Sequence, residues 1–173
     1  EWIDPIAESF EVTEANGVFI SSVDIFFQAK DDTAPVTCQI RTMQTGLPTT
    51  KIVPFGEKTL DAEQVVTSAD STVPTRFTFP SPVFLEGGGA EYALTLISPS
   101  NNYFVWIAVM GETDIEDEGL QESERRKISA QPYLGSLFKS QNGSTWTPSQ
   151  YEDLKFTLYL SLIHISEPTR LGA

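Results

Sequence analysis

The sequence predicts an all-β fold, an antiparallel, jelly-roll-like β-sandwich with about eight to ten short strands and at most one short helical turn. Three observations lead to this prediction. Short stretches alternate apolar with polar residues, which is the period of a β-strand. Glycine, proline and asparagine separate these stretches. Helical periodicity is nearly absent, because only residues 60–65 have the composition of a helical turn.

The composition limits the classes of partner. The chain has 173 residues, a length that predicts one domain, and 40% are hydrophobic, which is enough for a packed core. With 24 acidic and 11 basic residues, the net charge is −13. Because this charge repels phosphate backbones and anionic headgroups, we expect neither nucleic acid nor a membrane as a partner.

The first predicted strands lie in the N-terminal half. The residues predicted to share one strand face are Phe19, Val23, Ile25, Phe27 and Ala29. Residues 36–41 alternate in the next strand and place Cys38 on its apolar face. Residues 75–79 form a third strand, and Pro80 and Pro82 either stop it or place it at a sheet edge.

The second half continues the pattern. A glycine turn at 87–89 leads into residues 92–97, and a turn at 99–102 leads into residues 103–110. We predict that these two stretches form a central hairpin, and that residues 154–158 form the closing strand. The residues predicted to be buried between two sheets are Ile25, Phe27, Ile40, Phe77, Leu94, Leu96, Trp106, Ile107 and Phe156.

Residues 111–127 are acidic and then basic without an apolar pattern, so we predict a solvated loop. Asp114, Glu116 and Glu118 follow part of the spacing of a calcium-binding loop and are the candidate metal ligands. The bidentate glutamate of such a loop is replaced by Arg125. We therefore predict a solvated loop without a metal, keep a calcium site at these residues as the alternative, and expect no cofactor.

The chemistry of an enzyme is largely missing. The sequence has no Gly-x-Ser-x-Gly elbow, its one histidine is His164, and Cys38 lies mid-strand, where a small buried side chain is expected. A glycosidase needs only two carboxyl groups, but the acidic residues cluster in a hydrophilic stretch without the apolar wall that a general acid requires. We predict that the protein is not an enzyme.

Aromatic side chains are the candidate contacts to a glycan or a partner protein. These candidates are Tyr103, Tyr133, Trp146 and Tyr151. For Trp146, the alternative is a staple that packs the loop after the predicted Asn142-Gly143 turn onto the sandwich. Trp106 lies in a dense apolar strand and is predicted to belong to the core.

Several stretches together carry a resemblance to a known family. They are residues 7–10, 22–27, 35–41, 74–83, 91–94 and 131–148. The set resembles a β-sandwich module in baseplate-wedge or tail structural proteins of T4-like marine phages, including those that infect cyanobacteria. The resemblance implies a structural virion protein, made in the cytoplasm of the bacterial host, that contacts other baseplate or tail proteins and forms a homo-oligomer at full length. It implies no active-site residue.

The C-terminal residues have a different origin in this interpretation. Residues 160–170 are identical to the translation of a transposase sequencing adapter. We therefore expect one domain at residues 1–159, as a fragment of a longer protein, and an artefactual tail at 160–173. A genuine C-terminal strand is the alternative. Without the tail, which includes His164, the chain has no histidine.

Two other function classes stay open beside the assembly module. One is a carbohydrate-binding module of a phage tail, which exposed coplanar aromatic rings would favour. The other is a glycan-cleaving tail enzyme, which a convergent carboxyl pair in an aromatic cleft would favour. An apolar, self-complementary face would favour assembly.

Overall fold

The structure is a computed structural model that describes residues 5–109, 134–149 and 152–161. These residues form thirteen strands and a 3₁₀ turn at Ala62–Gln64, which confirms the all-β prediction and the predicted helical turn. Jelly-roll connectivity stays a prediction. The strands are β1 Ile6–Val12, β2 Val18–Ile25, β3 Phe27–Ala29, β4 Val36–Gln44, β5 Leu47–Leu60, β6 Thr75–Leu85, β7 Ala90–Ile97, β8 Phe104–Val105, β9 Ile107–Val109, β10 Leu134–Ser140, β11 Trp146–Ser149, β12 Glu152–Leu154 and β13 Phe156–Leu160.

The strands form one large sheet and three small ones, with antiparallel pairing throughout the described strands. The large sheet has the order β11-β10-β1-β7-β4-β5, and the small ones are β13-β2-β6, β3-β8 and β12-β9. One core cluster joins side chains of the large sheet with side chains of β2, β3 and β6. In its centre, the rings of Phe27 and Phe77 lie 6.3 Å apart.

Most of the predicted core is confirmed. The predicted core residues that are buried are Ile25, Phe27, Ile40, Phe77, Leu94 and Leu96. Trp106 and Phe156 are half-buried, and the prediction for Ile107 is wrong, because it is 39% exposed. Ile107 lies in β9, which pairs with only the three-residue strand β12 in the described part of the chain. Cys38 is buried, and burial raises the pKa of its thiol.

The predicted central hairpin is wrong. Strand β7 lies between β1 and β4 in the large sheet, whereas β8 pairs with β3. The sequence of β7 is apolar on both faces because both faces are covered. Leu94 faces the main core, and Ala93 packs on the opposite face against Phe138 and Trp146. A strand covered on both sides is typical of the centre of a sheet.

A bulge changes the predicted face of β2. The two-residue step from Ile20 to Ser22 is matched by a five-residue step on β6. Because a bulge shifts the alternation of side chains, Phe19 does not share the inward face of Val23. Its ring packs against that of Phe84, 5.1 Å away, at the surface.

Prolines within the strands lie at sheet edges, as predicted for Pro80 and Pro82 in β6. Strands β5 and β11, at the two edges of the large sheet, contain Pro48, Pro54 and Pro148. Since proline has no N–H group for a ladder, it blocks the pairing of a further strand at these edges.

Three extended segments meet at a junction, which we call the three-strand junction, at Phe26, Trp106 and Lys155. Each residue interrupts its segment once, so that β2 pairs with β13, β3 with β8, and β9 with β12. The N–H of Trp106 donates to the carbonyl of Phe26 (2.8 Å), and the N–H of Lys155 donates to the carbonyl of Trp106 (3.1 Å). The side chains of Trp106 and Lys155 donate to the carbonyls of Ser68 and Ser71, each at 2.8 Å, and so tie a loop to the junction.

Candidate functional site

Several predicted site residues lie outside the described residues. They are Asp114, Glu116, Glu118, Tyr133 and Tyr151, together with the acidic loop 111–127. Within the described ranges, no three His, Cys, Asp or Glu side chains come together as ligands of a metal ion. No helix in the described part of the chain is long and apolar enough to cross a membrane.

Trp146 is buried, as the staple interpretation predicts. It is 6% exposed and packs against Ala7 and Ala93 on the outer face of the large sheet. The guanidinium of Arg41 lies 5.9 Å from the centre of its ring and donates to the carbonyl of Gly143 (2.7 Å). The ring therefore presents no open face on which a sugar could stack.

The predicted turn at Asn142 and Gly143 is confirmed. The Oδ1 atom of Asn142 accepts hydrogen bonds from the N–H groups of Ser144 (2.9 Å) and Thr145 (2.8 Å). Gly143 has a φ of 77°, within the left-handed region that favours glycine. This turn closes the hairpin of β10 and β11 and directs Trp146 back onto the sheet.

Tyr103 has a structural environment. Its hydroxyl group donates to the carbonyl of Ala34, and its ring contacts the edge of Phe27, with 5.8 Å between the ring centres. Burial is the main cause that raises the pKa of Tyr103. Nearby, the Asp31 carboxylate accepts hydrogen bonds from the N–H of Ala34 (2.7 Å) and the hydroxyl of Ser100 (2.6 Å). These bonds hold the pKa of Asp31 well below its usual range.

The sequence did not predict the pairing of a buried Glu8 with a half-buried Asp153. Glu8 lies in β1 and is 0% exposed. Its Oε1 accepts a hydrogen bond from the N–H of Leu154 (2.7 Å), whereas its Oε2 is buried without a hydrogen-bond partner in the described part of the structure. Burial raises the pKa of Glu8 to about 8, and the neighbouring charge of Asp153 adds to the rise. Burial also raises the pKa of Asp153.

The surroundings of Glu8 favour its protonated form. Glu8 lies opposite Leu94 of β7 and Leu137 of β10 in the two ladders of its strand. Two carboxyl groups that are close together and poorly hydrated do not both ionise. Since Glu8 has no exposed surface, a substrate cannot reach it without a rearrangement of the core.

A second unpredicted feature is an exposed apolar surface, which we call the Phe55 cluster. It lines a cleft of about 480 Å³ where the edge strands β5 and β6 of two sheets approach each other. Its apolar residues are Phe19, Val53, Pro54, Phe55, Pro82 and Phe84, and its polar residues are Thr42, Lys51, Glu86 and Tyr92. Phe55 is 59% exposed and Phe84 is 45% exposed.

Bulges on both edge strands create this surface. On β5, a five-residue step matches the two-residue step from Gln39 to Arg41 on β4, and the outward excursion carries Phe55. Phe55 has a φ of 65°, a left-handed conformation that is rare for an aromatic residue. A Cβ atom at the next residue, Gly56, would lie 2.9 Å from the carbonyl oxygen of Val53. The close packing at Gly56 therefore fixes the excursion that exposes Phe55.

The sequence does contain a signal for this cluster. Phe55 stands between Pro54 and Gly56, and an aromatic residue between two residues that interrupt strands indicates an exposed turn rather than a core position. The rim of the cleft also has one charge of each sign. Lys51 and Glu86 are both exposed, and neither forms an ion pair with another described residue.

Comparison of the chain with protein-family models, with curated proteins and with solved structures found no match. The described residues define an all-β protein of packed antiparallel sheets, with a buried glutamate near a half-buried aspartate and an exposed aromatic cleft.

Proposed function

We propose that this domain is a structural module of a phage baseplate or tail protein and makes assembly contacts with neighbouring virion proteins. The observation that supports a contact role is the Phe55 cluster, because a contiguous exposed apolar surface is typical of an interaction site. The resemblance of residues 131–148 and the other stretches supplies the phage context.

The edges of the sheets support contacts through side chains. Strands β5 and β6 contain prolines and bulges, which disfavour the addition of a partner strand. The rings of Phe55 and Phe84 lie on this same side of the molecule. Contact through a few aromatic side chains on a rigid support is typical of protein interfaces.

A non-enzymatic role is part of the proposal. The carboxyl group of Glu8 is buried, and neither Glu8 nor Asp153 lines the cleft of the Phe55 cluster. In the part of the chain that the structure describes, this pair is not the accessible carboxyl pair that glycoside hydrolysis requires.

Mass spectrometry of purified particles tests the proposed location. A T4-like marine phage whose genome encodes residues 131–148 is grown, and its particles are separated from soluble protein on a density gradient. We expect peptides of this domain to band with intact particles in a fixed ratio to known tail proteins. Peptides confined to the soluble fraction of the lysate would contradict the proposal.

A carbohydrate-binding module is the second candidate, and the exposed rings of Phe55 and Phe84 beside Lys51 and Glu86 favour it. A glycan array with the purified chain tests it. Binding to a defined glycan that Phe55→Ser abolishes would support this function. The control is Phe104→Ser, which changes an equally exposed ring (57%) outside the cleft.

A further inference from the structure

The Phe55 cluster contains both parts of a self-complementary contact. Phe55 projects from β5 with 59% of its surface exposed, and the cleft beside it is lined by apolar groups, including the ring of Phe84. A projecting ring and an apolar cleft on one surface are the elements that a two-fold interface places against each other.

The conformation of Phe55 indicates that the ring has a role outside its own chain. A residue of this kind at a φ of 65° carries backbone strain, which natural proteins retain mainly at functional positions. Within the chain, the exposed ring does not offset this strain by burial. Insertion of the ring into a second surface would supply that burial.

The charges at the rim favour a second copy as the occupant. Lys51 and Glu86 both line the cleft and have opposite signs. In a two-fold pair every contact between two different residues occurs twice, so an ion pair between Lys51 of one copy and Glu86 of the other forms on both sides of the axis. A binding site for a strongly basic partner would be expected to have mainly acidic residues at its rim, whereas this rim has one positive and one negative charge.

We propose that the Phe55 cluster is a two-fold self-association surface, in which Phe55 enters the cleft of a second copy and Lys51 faces Glu86 of that copy. The proposal rests on the assembly role proposed above and names the partner of the same surface. The remaining charge of the molecule opposes it, since each copy has a net charge of −13. Two ion pairs are outweighed by this repulsion at low salt, so association strengthens as salt screens it.

Sedimentation velocity of the full chain tests this proposal. The measurement covers a range of protein concentrations at about 0.1 M and about 1 M sodium chloride, between which the screening length falls from about 10 Å to about 3 Å. We expect a monomer–dimer equilibrium whose dimer fraction rises with salt. A monomer at every concentration and salt would overturn the proposal.

The matched variants identify the surface. We expect Phe55→Ser to abolish the dimer and Phe104→Ser to leave it unchanged, because Phe104 is exposed to the same degree but lies outside the cleft. Loss of the dimer in both variants, or in neither, would contradict the assignment. Thermal unfolding of each variant checks that it is folded.

A charge exchange separates a second copy from any other occupant. Lys51→Glu and Glu86→Lys alone should each raise the dimer dissociation constant at least about tenfold at about 0.1 M salt, since like charges then meet twice. The double variant restores the pair and should return the constant to within a few-fold of the original. A dissociation constant of the double variant as high as those of the single variants would overturn the two-fold arrangement.

The same surface could have another occupant, and the glycan array distinguishes it. Glycan binding that depends on Phe55 in a chain that stays monomeric would assign the cleft to a sugar. Neither result bears on whether the protein is found in virions.

Discussion

Glu8 is an acidic residue in an environment quite unlike that of an exposed acid, because its side chain is fully buried. Its Oε1 accepts a hydrogen bond from the N–H of Leu154, and its Oε2 is without a hydrogen-bond partner in the described part of the structure. Beside these strands, Lys139 of β10 and Glu152 of β12 form an ion pair at 3.4 Å. The hydrogen bond from Leu154 links Glu8 of the large sheet to β12.

This environment predicts a pH dependence of stability. The pKa of Glu8 is about 8 in the folded state and 4.5 as the ordinary value. The folded state thus retains a proton that the unfolded state releases as pH rises from about 4.5 to about 8, so the free energy of unfolding falls across that range. We expect Glu8→Gln, measured by urea unfolding, to flatten this fall. The control is Glu63→Gln, at an exposed acid, which should retain it. Equal slopes for the original chain and Glu8→Gln would contradict the assignment.

The backbone of Phe55 predicts a gain in stability. Glycine adopts a φ of 65° without steric cost, so Phe55→Gly should raise the midpoint of thermal unfolding, by about 1 kcal/mol of stability or a few degrees. Phe55→Ala removes the same ring but keeps the strain, and it should leave the midpoint nearly unchanged. Differential scanning calorimetry distinguishes the two variants. A midpoint for Phe55→Gly at or below that of Phe55→Ala would show that the left-handed residue is not strained.

At the scale of elements, the stability of the fold depends on the packing of β3 and β6 against the large sheet. Phe27 and Phe77 are both 0% exposed, and their rings are in contact. Truncation of either one to alanine should cost about 3–5 kcal/mol of unfolding free energy. Phe104→Ala, at an exposed position, should cost less than about 1 kcal/mol. Losses below about 1 kcal/mol at both buried positions, measured by urea unfolding, would contradict the core assignment.

The last described strand extends past the boundary that the sequence predicted. Leu160 pairs with Ile20, and the N–H of Ser161 donates to the carbonyl of Phe19 (2.8 Å). A chain that ends at Tyr159 loses this pairing and should be less stable by about 1 kcal/mol than a chain that ends at Ser161. Thermal unfolding of the two chains measures the difference. Identical midpoints would show that residues 160 and 161 add no stability, as expected for an artefactual tail.

The inward-facing residues of single strands follow from the local sequence pattern, whereas the pairing of the strands does not. Period-two alternation predicted Val23 and Ile25 correctly because both lie in regular ladders, and it was also correct for Phe27, although the ladder of β3 and β8 is irregular. It was wrong at Phe19, since the bulge opposite depends on where a second strand pairs and not on β2 itself. The hairpin prediction was wrong because a strand covered on both faces can pair with any other strand of that kind.

The candidate site was harder to predict than the fold. Glu8 shares the period-two face of Ile6, Phe10 and Val12, but the strands that bury its carboxyl group, β7, β10 and β12, lie far along the chain. Phe55 carries a local signal in its proline and glycine neighbours, but the cleft beside it requires β6. The sequence therefore predicts single strands and turns, whereas the surroundings of Glu8 and the Phe55 cluster form only where distant segments of the chain meet.

The whole molecule is dominated by its negative charge. A net charge of −13 on a chain of this size produces repulsion that acts against the compact state. We expect the midpoint of thermal unfolding to rise between about 0.1 M and about 1 M sodium chloride, because screening weakens this repulsion. The experiment uses chloride rather than sulfate, since sulfate also strengthens apolar burial. A midpoint that is constant or falls with salt would show that local ion pairs outweigh the overall charge.

The three-strand junction has a consequence for the order in which the chain folds. Its segments contain Phe26, Trp106 and Lys155, so it joins parts of the chain separated by most of the described sequence. Every pairing at the junction must close a long loop before its contacts can form, which slows folding in proteins dominated by such non-local contacts. During synthesis, β2 and β9 therefore lack their final partners until β13 and β12 have left the ribosome. Completion of the native fold is thus a late and concerted event.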